Sequence, residues 1–314
     1  MSVSRFGEIQ ANVYLGSSHD NSPFGKIWYV DVTNGSDGNA GDAPDQAYAS
    51  IGAAISAAVA TRGDSVHIAP GTYTITSALS PKAFMTFRAA VINPQAPSVS
   101  IRGNLATLMN VDVNGCRFIG LEFRATGTTV RDLVRLADTT AVTGGALFED
   151  CVFHGADQLA NQAQGISGVA GLWTDGTNAV TGLVVRRCLF RDLGKTQLEI
   201  GAGGVPYATI EDNLFAIDTD QGWGISLADT AAFATGKGYS IRNNVFIGPD
   251  AVTATQIGIR IAGTQNITGA GIITNNYFSY CADIAITQDV LMAAIVQNFS
   301  AANTGGSVID GSSI

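Results

Sequence analysis

The chain has 314 residues, with 17 Lys and Arg against 26 Asp and Glu, a formal charge of −9. Charged residues are only 14% of it, against roughly 25% in ordinary globular chains, while 37 residues are glycine and 46% are hydrophobic. That balance argues against nucleic acid or an anionic membrane as a partner held through a basic field; the apolar content excludes disorder, and no apolar stretch of about 18 residues is present.

Residues 1–26 carry Phe6, Ile9, Val13, Tyr14, Leu15 and Phe24 among polar neighbours. Met1 to Gln10 lacks the basic run followed by an apolar run that marks a secretory signal. The segment reads as an arm for docking and assembly through Phe6, Ile9, Tyr14 and Phe24, or as a strip packed along the chain's own body. One β domain is expected over 27–314, with a capping-helix region over 45–62 and coils over 63–310. The helix carries Ile51, Ile55 and Val59 on one stripe, and over the first coil it would hide core and block end-to-end pairing. In the loop ahead of the helix, Asp31, Asn34, Asp37, Asn39 and Asp42 have the oxygen density of a calcium site. Asx-turns use the same residues without a metal, so both readings stand.

Further along, one pattern recurs: apolar, two residues, Cys or Asn, one residue, Phe. It runs from Val113 through Cys116 to Phe118, then Phe148, Cys151, Phe153; Val185, Cys188, Phe190; Ile210, Asn213, Phe215; Ile241, Asn244, Phe246; and Ile273, Asn276, Phe278. A degraded seventh copy holds Ile295 and Asn298. Uneven intervals around a fixed motif mean a constant coil with loops of variable length. Between the copies, 197–200, 222–227, 256–261 and 283–286 alternate with period two, as strands with one buried face do. Two or three short strands per coil, without helices, define an all-β parallel β-helix of about eight to nine coils.

The Cys/Asn position is expected at a bend in left-handed geometry, which Asn tolerates. Asn213, Asn244, Asn276 and Asn298 would stack as an amide ladder, continued by Cys188, Cys151 and Cys116 as reduced packing residues, with a Cys116–Cys151 disulfide as the alternative. Glu149, Arg186, Glu211 and Arg242, beside Asp150, Arg187, Asp212 and Asn243, place opposite charges on successive coils, which reads as a structural ladder.

The stretch Tyr29-Val-Asp31, Asn34-Gly-Ser-Asp-Gly-Asn39-Ala-Gly41, Ile51-Gly-Ala-Ala-Ile55, Gly63-Asp64 and Pro70-Gly-Thr-Tyr73 resembles the opening of the pectin-lyase-like superfamily. The resemblance implies a right-handed single-stranded parallel β-helix with an N-terminal capping α-helix. Members include polysaccharide lyases, secreted bacterial proteins, and spike or fibre proteins of tailed bacteriophages, so fold does not settle activity.

The Arg-x-Pro-x-x-Arg pattern of pectate lyases is absent from the sequence. Of the motifs of polygalacturonase-like hydrolases only His154-Gly155 occurs, with Arg260-Ile261-Ala262 a broken echo of another. His19 and His154 are expected on loops or surface and His67 within a strand; with Cys281 on a different register, no nucleophilic triad assembles. Two carboxylates from different coils could still cleave a glycan, with Asp175, Glu199, Asp218, Asp220 and Asp229 as candidates and Trp173 and Trp223 as sugar-stacking neighbours. Solvated loop charges and core-covering rings are the other reading.

Missing catalytic motifs, low charge and the apolar arm favour a bacteriophage virion structural protein made in the host cytoplasm without a signal peptide. It would be a capsid-decorating or tail spike or fibre β-helix, a homotrimer attached to other virion proteins by its arm, with a glycan as a candidate ligand and no cofactor unless calcium. The alternatives are a polysaccharide depolymerase, lyase or glycoside hydrolase, with its carboxylates on the β-helix face, and a non-catalytic glycan-binding β-helix.

Overall fold

A computed structural model describes residues 25–127, 130–155, 170–174, 178–194, 196–201, 204–217, 222–227, 238–248, 257–261, 271–279, 281–286, 294–296 and 298–301. The expected docking residues Phe6, Ile9, Tyr14 and Phe24 lie outside them.

Three parallel sheets make up the described structure. The first has ten strands, from Ile27–Val30 and Ser65–Ile68 to Ala294–Val296; the second has nine, from Gly71–Thr74 to Phe299–Ala301; the third has seven, from Thr107–Val111 to Ala282–Ile286. Each strand pairs with its equivalents in the coils before and after, as Ala146–Glu149 does with Cys116–Ile119 and Leu183–Arg186. The chain visits the sheets in turn, making complete coils with partial ones at both ends. With the right-handed crossover of parallel strands, this is the expected right-handed single-stranded parallel β-helix.

Its core is built by stacking like on like. Inside the second sheet Phe123, Phe153, Phe190, Phe215, Phe246 and Phe278 form one column with successive ring centroids 5.6, 4.5, 4.7, 4.8 and 4.9 Å apart. Phe87, Phe118 and Phe148 form a shorter column inside the first sheet. All nine rings are fully buried. The recurring Phe of the sequence is this column, repeated because parallel coils set each residue directly above its equivalent.

Two details of the turn between the first and second sheets differ from the sequence expectation. The left-handed residue is the one before the Cys/Asn position: Asp150, Arg187, Asp212, Asn243 and Asn275 have φ of 52–57°. Asparagine is therefore used for its amide and not for its backbone. Asn213, Asn244 and Asn276 are buried, and the Nδ2 of each donates to the Oδ1 of the next at 2.9–3.0 Å, with Asn298 the last of the ladder among the described residues. Cys116 is not part of this column. It lies in a first-sheet strand opposite Ala146, and in its coil the turn is made by Gly120 (φ 72°), followed by Leu121. All four cysteines are free thiols, so Cys116 and Cys151 form no disulfide.

The charge ladder is as expected: Glu149, Arg186, Glu211 and Arg242 are register partners. Arg186 Nη2 reaches Glu149 Oε1 at 3.1 Å and Arg242 Nη2 reaches Glu211 Oε2 at 2.6 Å. Arg187 joins both Glu149 and Asp150.

The capping α-helix spans Ile51–Ala57, with the Ser50 hydroxyl accepting from Ala53 N–H at 3.1 Å. Ile51, Ala54 and Ile55 are buried against the first strands. Val59 is exposed, because the helix ends before reaching it.

Asp64 ties this cap to the first coil. Its buried carboxylate accepts from Lys26 N, Trp28 Nε1 and Val59 N at 2.9–3.0 Å and pairs with Arg62. Burial pushes its pKa up, but the Arg62 guanidinium and these donors outweigh burial and hold it at about 2, below the ordinary 3.8. Because the folded value is the lower one, the stabilisation is present above 3.8 and is lost as pH falls through 2. Its size is about 2 kcal/mol. Urea unfolding across that window should show this loss in the native protein and not in Asp64→Asn, which should already be weaker at neutral pH by about 3 kcal/mol.

Candidate functional site

Third-sheet strands share a local irregularity that shapes their outer face. Pairing passes from Thr196–Trp223 to Leu198–Ile225 and from Trp223–Ile257 to Ile225–Ile259, skipping the second residue of each strand. At the skipped position two consecutive residues are buried, as Leu133 and Val134 are, while the first and fourth come together, as Asp132 and Arg135 do through their hydrogen bonds. Gly224 fills a skipped position, where a Cβ would lie 2.5 Å from the Phe246 ring.

The fourth positions form one outer column in register: Asn110, Arg135, Trp173, Glu199, Ser226 and Arg260. The first positions form a second column that includes Asp132 and Trp223. Of the residues singled out in the sequence, Trp173 and Glu199 are thus direct neighbours, and Trp223 lies beside them. Asp175, Asp218, Asp220 and Asp229 lie outside the described residues.

Arginines bind this face together. The Arg135 guanidinium lies 4.4 Å from the Trp173 ring centre and Arg260 lies 4.0 Å from that of Trp223. Each indole therefore carries a cation over its ring. Arg135 also donates to Asp132 Oδ2 from Nε (3.0 Å) and Nη2 (2.7 Å), and to Asp138 Oδ1 at 3.0 Å. Asp132 is buried, and burial raises its pKa; Arg135 and Thr107 pull it back in part, while the charge of Glu199 raises it further. The two carboxylates therefore sense each other across the face. Asn110 Oδ1 and Thr196 Oγ1, on the same strands, are buried without a hydrogen-bond partner.

Asp132, Arg135, Asp138 and Ser226 were not singled out from the sequence. The signal was present: aligned as five-residue strands, Asp132–Leu136, Ala170–Thr174, Thr196–Ile200, Trp223–Leu227 and Ile257–Ile261 put Arg, Trp, Glu, Ser and Arg at the fourth position.

His154 corrects an expectation. It sits in the second-sheet strand Val152–His154 and is buried, not on a loop or surface. Its Nδ1 is 3.1 Å from Glu122 Oε1 and its Nε2 is 2.8 Å from Asp192 Oδ2.

The loop oxygens suggested for calcium have separate protein partners. Asp31 accepts from Thr33 N at 2.8 Å and Asn34 Nδ2 at 3.0 Å; Asp37 accepts from Ser50 N and Oγ, both at 2.8 Å; Asn39 donates to Ala47 O at 2.9 Å; Asp42 lies 3.8 Å from Lys26 Nζ. Among the described residues no three His, Cys, Asp or Glu side chains are grouped to hold a metal ion. Burial raises the Cys116 thiol to about 11 and Cys188 well above its ordinary value, so neither is an activated nucleophile.

A rod of parallel coils with a polar, indole-bearing face defines the class as a right-handed parallel β-helix. Solved structures share this fold. A point mutant of the PL6 family alginate lyase AlyGC aligns at 15% identity and TM-score 0.59, covering 88% of this chain and 40% of that one. The pectin methylesterase PemA from Erwinia chrysanthemi aligns at 10% identity and TM-score 0.57, covering 90% and 91%. The pectin methylesterase from Aspergillus niger aligns at 14% and 0.57, covering 90% and 87%. The chain thus spans less than half of the alginate lyase and most of each esterase. No protein-family model and no curated protein matches it.

Proposed function

We propose that the protein cleaves an acidic polysaccharide on the outer face of the third sheet. The observation that carries this reading is the in-register column Arg135, Trp173, Glu199, with Trp223 and Arg260 alongside. The Arg260 guanidinium recognises the carboxylates of uronate units, the indoles offer apolar surface to pyranose rings, and Glu199 is the proton-transferring group. Asp132 and its Arg135 clamp set the local field. The fold neighbours, an alginate lyase and two pectin methylesterases, suggest alginate and pectin as first substrates.

Incubation with both polymers should release new reducing ends. Growth of unsaturated-uronate absorbance would mark elimination, and its absence would mark hydrolysis. Glu199→Gln should lower turnover by about 100-fold or more, and Trp173→Ala should weaken binding with less effect on turnover. Wild-type protein inert on both polymers and on a panel of bacterial capsular glycans would defeat the proposal.

The missing lyase and hydrolase motifs favour a second proposal, a homotrimeric virion protein attached through residues 1–26 as a capsid-decorating or tail spike or fibre β-helix. Light scattering that gives a monomer, together with unaltered particle incorporation after deletion of 1–26, would overturn it.

A further inference from the structure

The turn that leads into the first sheet is left-handed in coil after coil. Gly63, Gly115, Gly145 and Gly182 have φ of 72–81° there. Register puts them in one column with Phe84 and Tyr207, each standing two residues ahead of a paired first-sheet residue. Phe84 and Tyr207 hold φ of 63° and 60° where the column otherwise uses glycine. A side chain is strained in that conformation, and a bulky ring is an outlier in it. Burial does not compensate the strain, since Phe84 is 46% and Tyr207 60% exposed. Strain held at exposed aromatic rings points to a contact that the rings serve.

The ridge between the two rings is backbone. Phe84 occupies the space that a Cβ on Gly115 would need, while the nearest atoms to a Cβ on Gly145 or Gly182 belong to the main chain. Val59, also exposed, lies at the Phe84 end, where Thr61 N donates to Ala83 O at 3.1 Å. The chain enters the described structure at this same end. Gly25 packs against Gly63 O, and Ser65 N donates to Lys26 O at 2.8 Å, so Gly25 heads the column and Phe24 precedes it directly. From Gly25 to Tyr207 is six coil steps, roughly 29 Å. Residues 15–24, fully extended, span about 33 Å.

We propose that this ridge is the docking track for residues 13–24 of the same chain. Phe24 seats at the Phe84 and Val59 end, and Tyr14 and Leu15 reach Tyr207. The stretch from Gly16 to Pro23, GSSHDNSP, is small and polar and crosses the glycine floor. Apolar residues thus fall at the two ends of the segment as exposed rings fall at the two ends of the ridge. A second copy of the rod fits less well: Val59, Phe84 and Tyr207 offer far less apolar surface than the roughly 800 Å² per partner of a stable interface. The track shares no residue with the third-sheet site, and it gives the arm that the virion reading sends to other proteins a place on its own rod.

The test is the rate of chymotrypsin cleavage after Tyr14 and Leu15 in the native full-length protein. Phe84→Gly with Tyr207→Gly removes both rings and leaves at each position the residue that its backbone prefers. Far-UV circular dichroism and Tm establish that this double variant is folded. Its cleavage should be about tenfold faster or more than that of wild type. Tyr277→Ala, which removes an exposed ring from the second sheet, should keep the wild-type rate. Protection in wild type should not depend on protein concentration. Equal rates in wild type and the folded double variant overturn the proposal, as does equal acceleration by Tyr277→Ala. Protection that grows with concentration, together with a dimer by light scattering, also overturns it, because the segment then lies on a second copy.

Discussion

Phe215→Ala is expected to cost about 5 kcal/mol, at the upper end for removal of a buried aromatic ring. Its ring is fully buried between Phe190 at 4.7 Å and Phe246 at 4.8 Å, nearly parallel to both. The substitution therefore removes two stacking contacts as well as apolar burial. Relaxation cannot fill the gap easily, because the strands on either side are held in register by the coils above and below. A loss of this size rivals the whole stability of many domains. Urea unfolding should show it as a large fall in midpoint, or as an early transition if the coils beyond the defect open separately, as they can in a solenoid. Phe278→Ala is the comparison: it has Phe246 at 4.9 Å on one side and Ser300 as its register partner on the other, and should lose less. Equal losses at the two positions would show that stacking along the column is not what holds it.

Asn244→Leu should cost on the order of 4 kcal/mol although the branched shape of the side chain is kept. Asn244 Oδ1 accepts from Asn213 N at 3.1 Å and Asn213 Nδ2 at 2.9 Å; its Nδ2 donates to Ile210 O and to Asn276 Oδ1, both at 3.0 Å. Leucine leaves a buried N–H, an amide and a carbonyl without these partners, at about 1–3 kcal/mol each, offset in part by added apolar burial. The same change at Asn298, where the ladder ends and the side chain is only half-buried, should cost markedly less. Thermal unfolding of the two variants side by side reads the difference. If Asn244→Leu is as stable as wild type, the amide ladder is dispensable and the Phe column alone sets the stacking.

Both predictions bear on function because the proposed sites are lines of residues drawn from different coils. Arg135, Trp173 and Glu199 meet only while three successive coils keep register, and the Phe column and amide ladder are what keep it. A defect in either should disturb binding along the rod without touching a ligand-facing residue.

Much of the fold was legible because stacking like on like writes itself into the chain as a repeat. The asparagines at 213, 244, 276 and 298, the phenylalanines two residues beyond the first three, and the alternating Glu149, Arg186, Glu211, Arg242 column could all be read in order. Reading failed where one coil departs from the repeat: Val113-to-Phe118 imitates the motif, yet Phe118 pairs with Phe148 and belongs to the first sheet. Glu199, Trp173 and Trp223 were found as residue types with suitable chemistry. Asp132 and Arg135 were not, since the skipped pairing that brings positions one and four of this strand together breaks the two-residue alternation on which strand reading depends.

The sequence by itself determined that this is a charge-poor rod of parallel coils with a ladder of amides and rings inside, because those features repeat at equivalent positions whatever the loop lengths. Only the tertiary structure decided which charges stand beside one another on the outside. Register between coils depends on where each strand begins after a loop of variable length, and no spacing along the chain encodes it. That is why His154, which stands in the sequence as an isolated surface residue, is in the folded protein the buried link between Glu122 and Asp192 in a column of arginines.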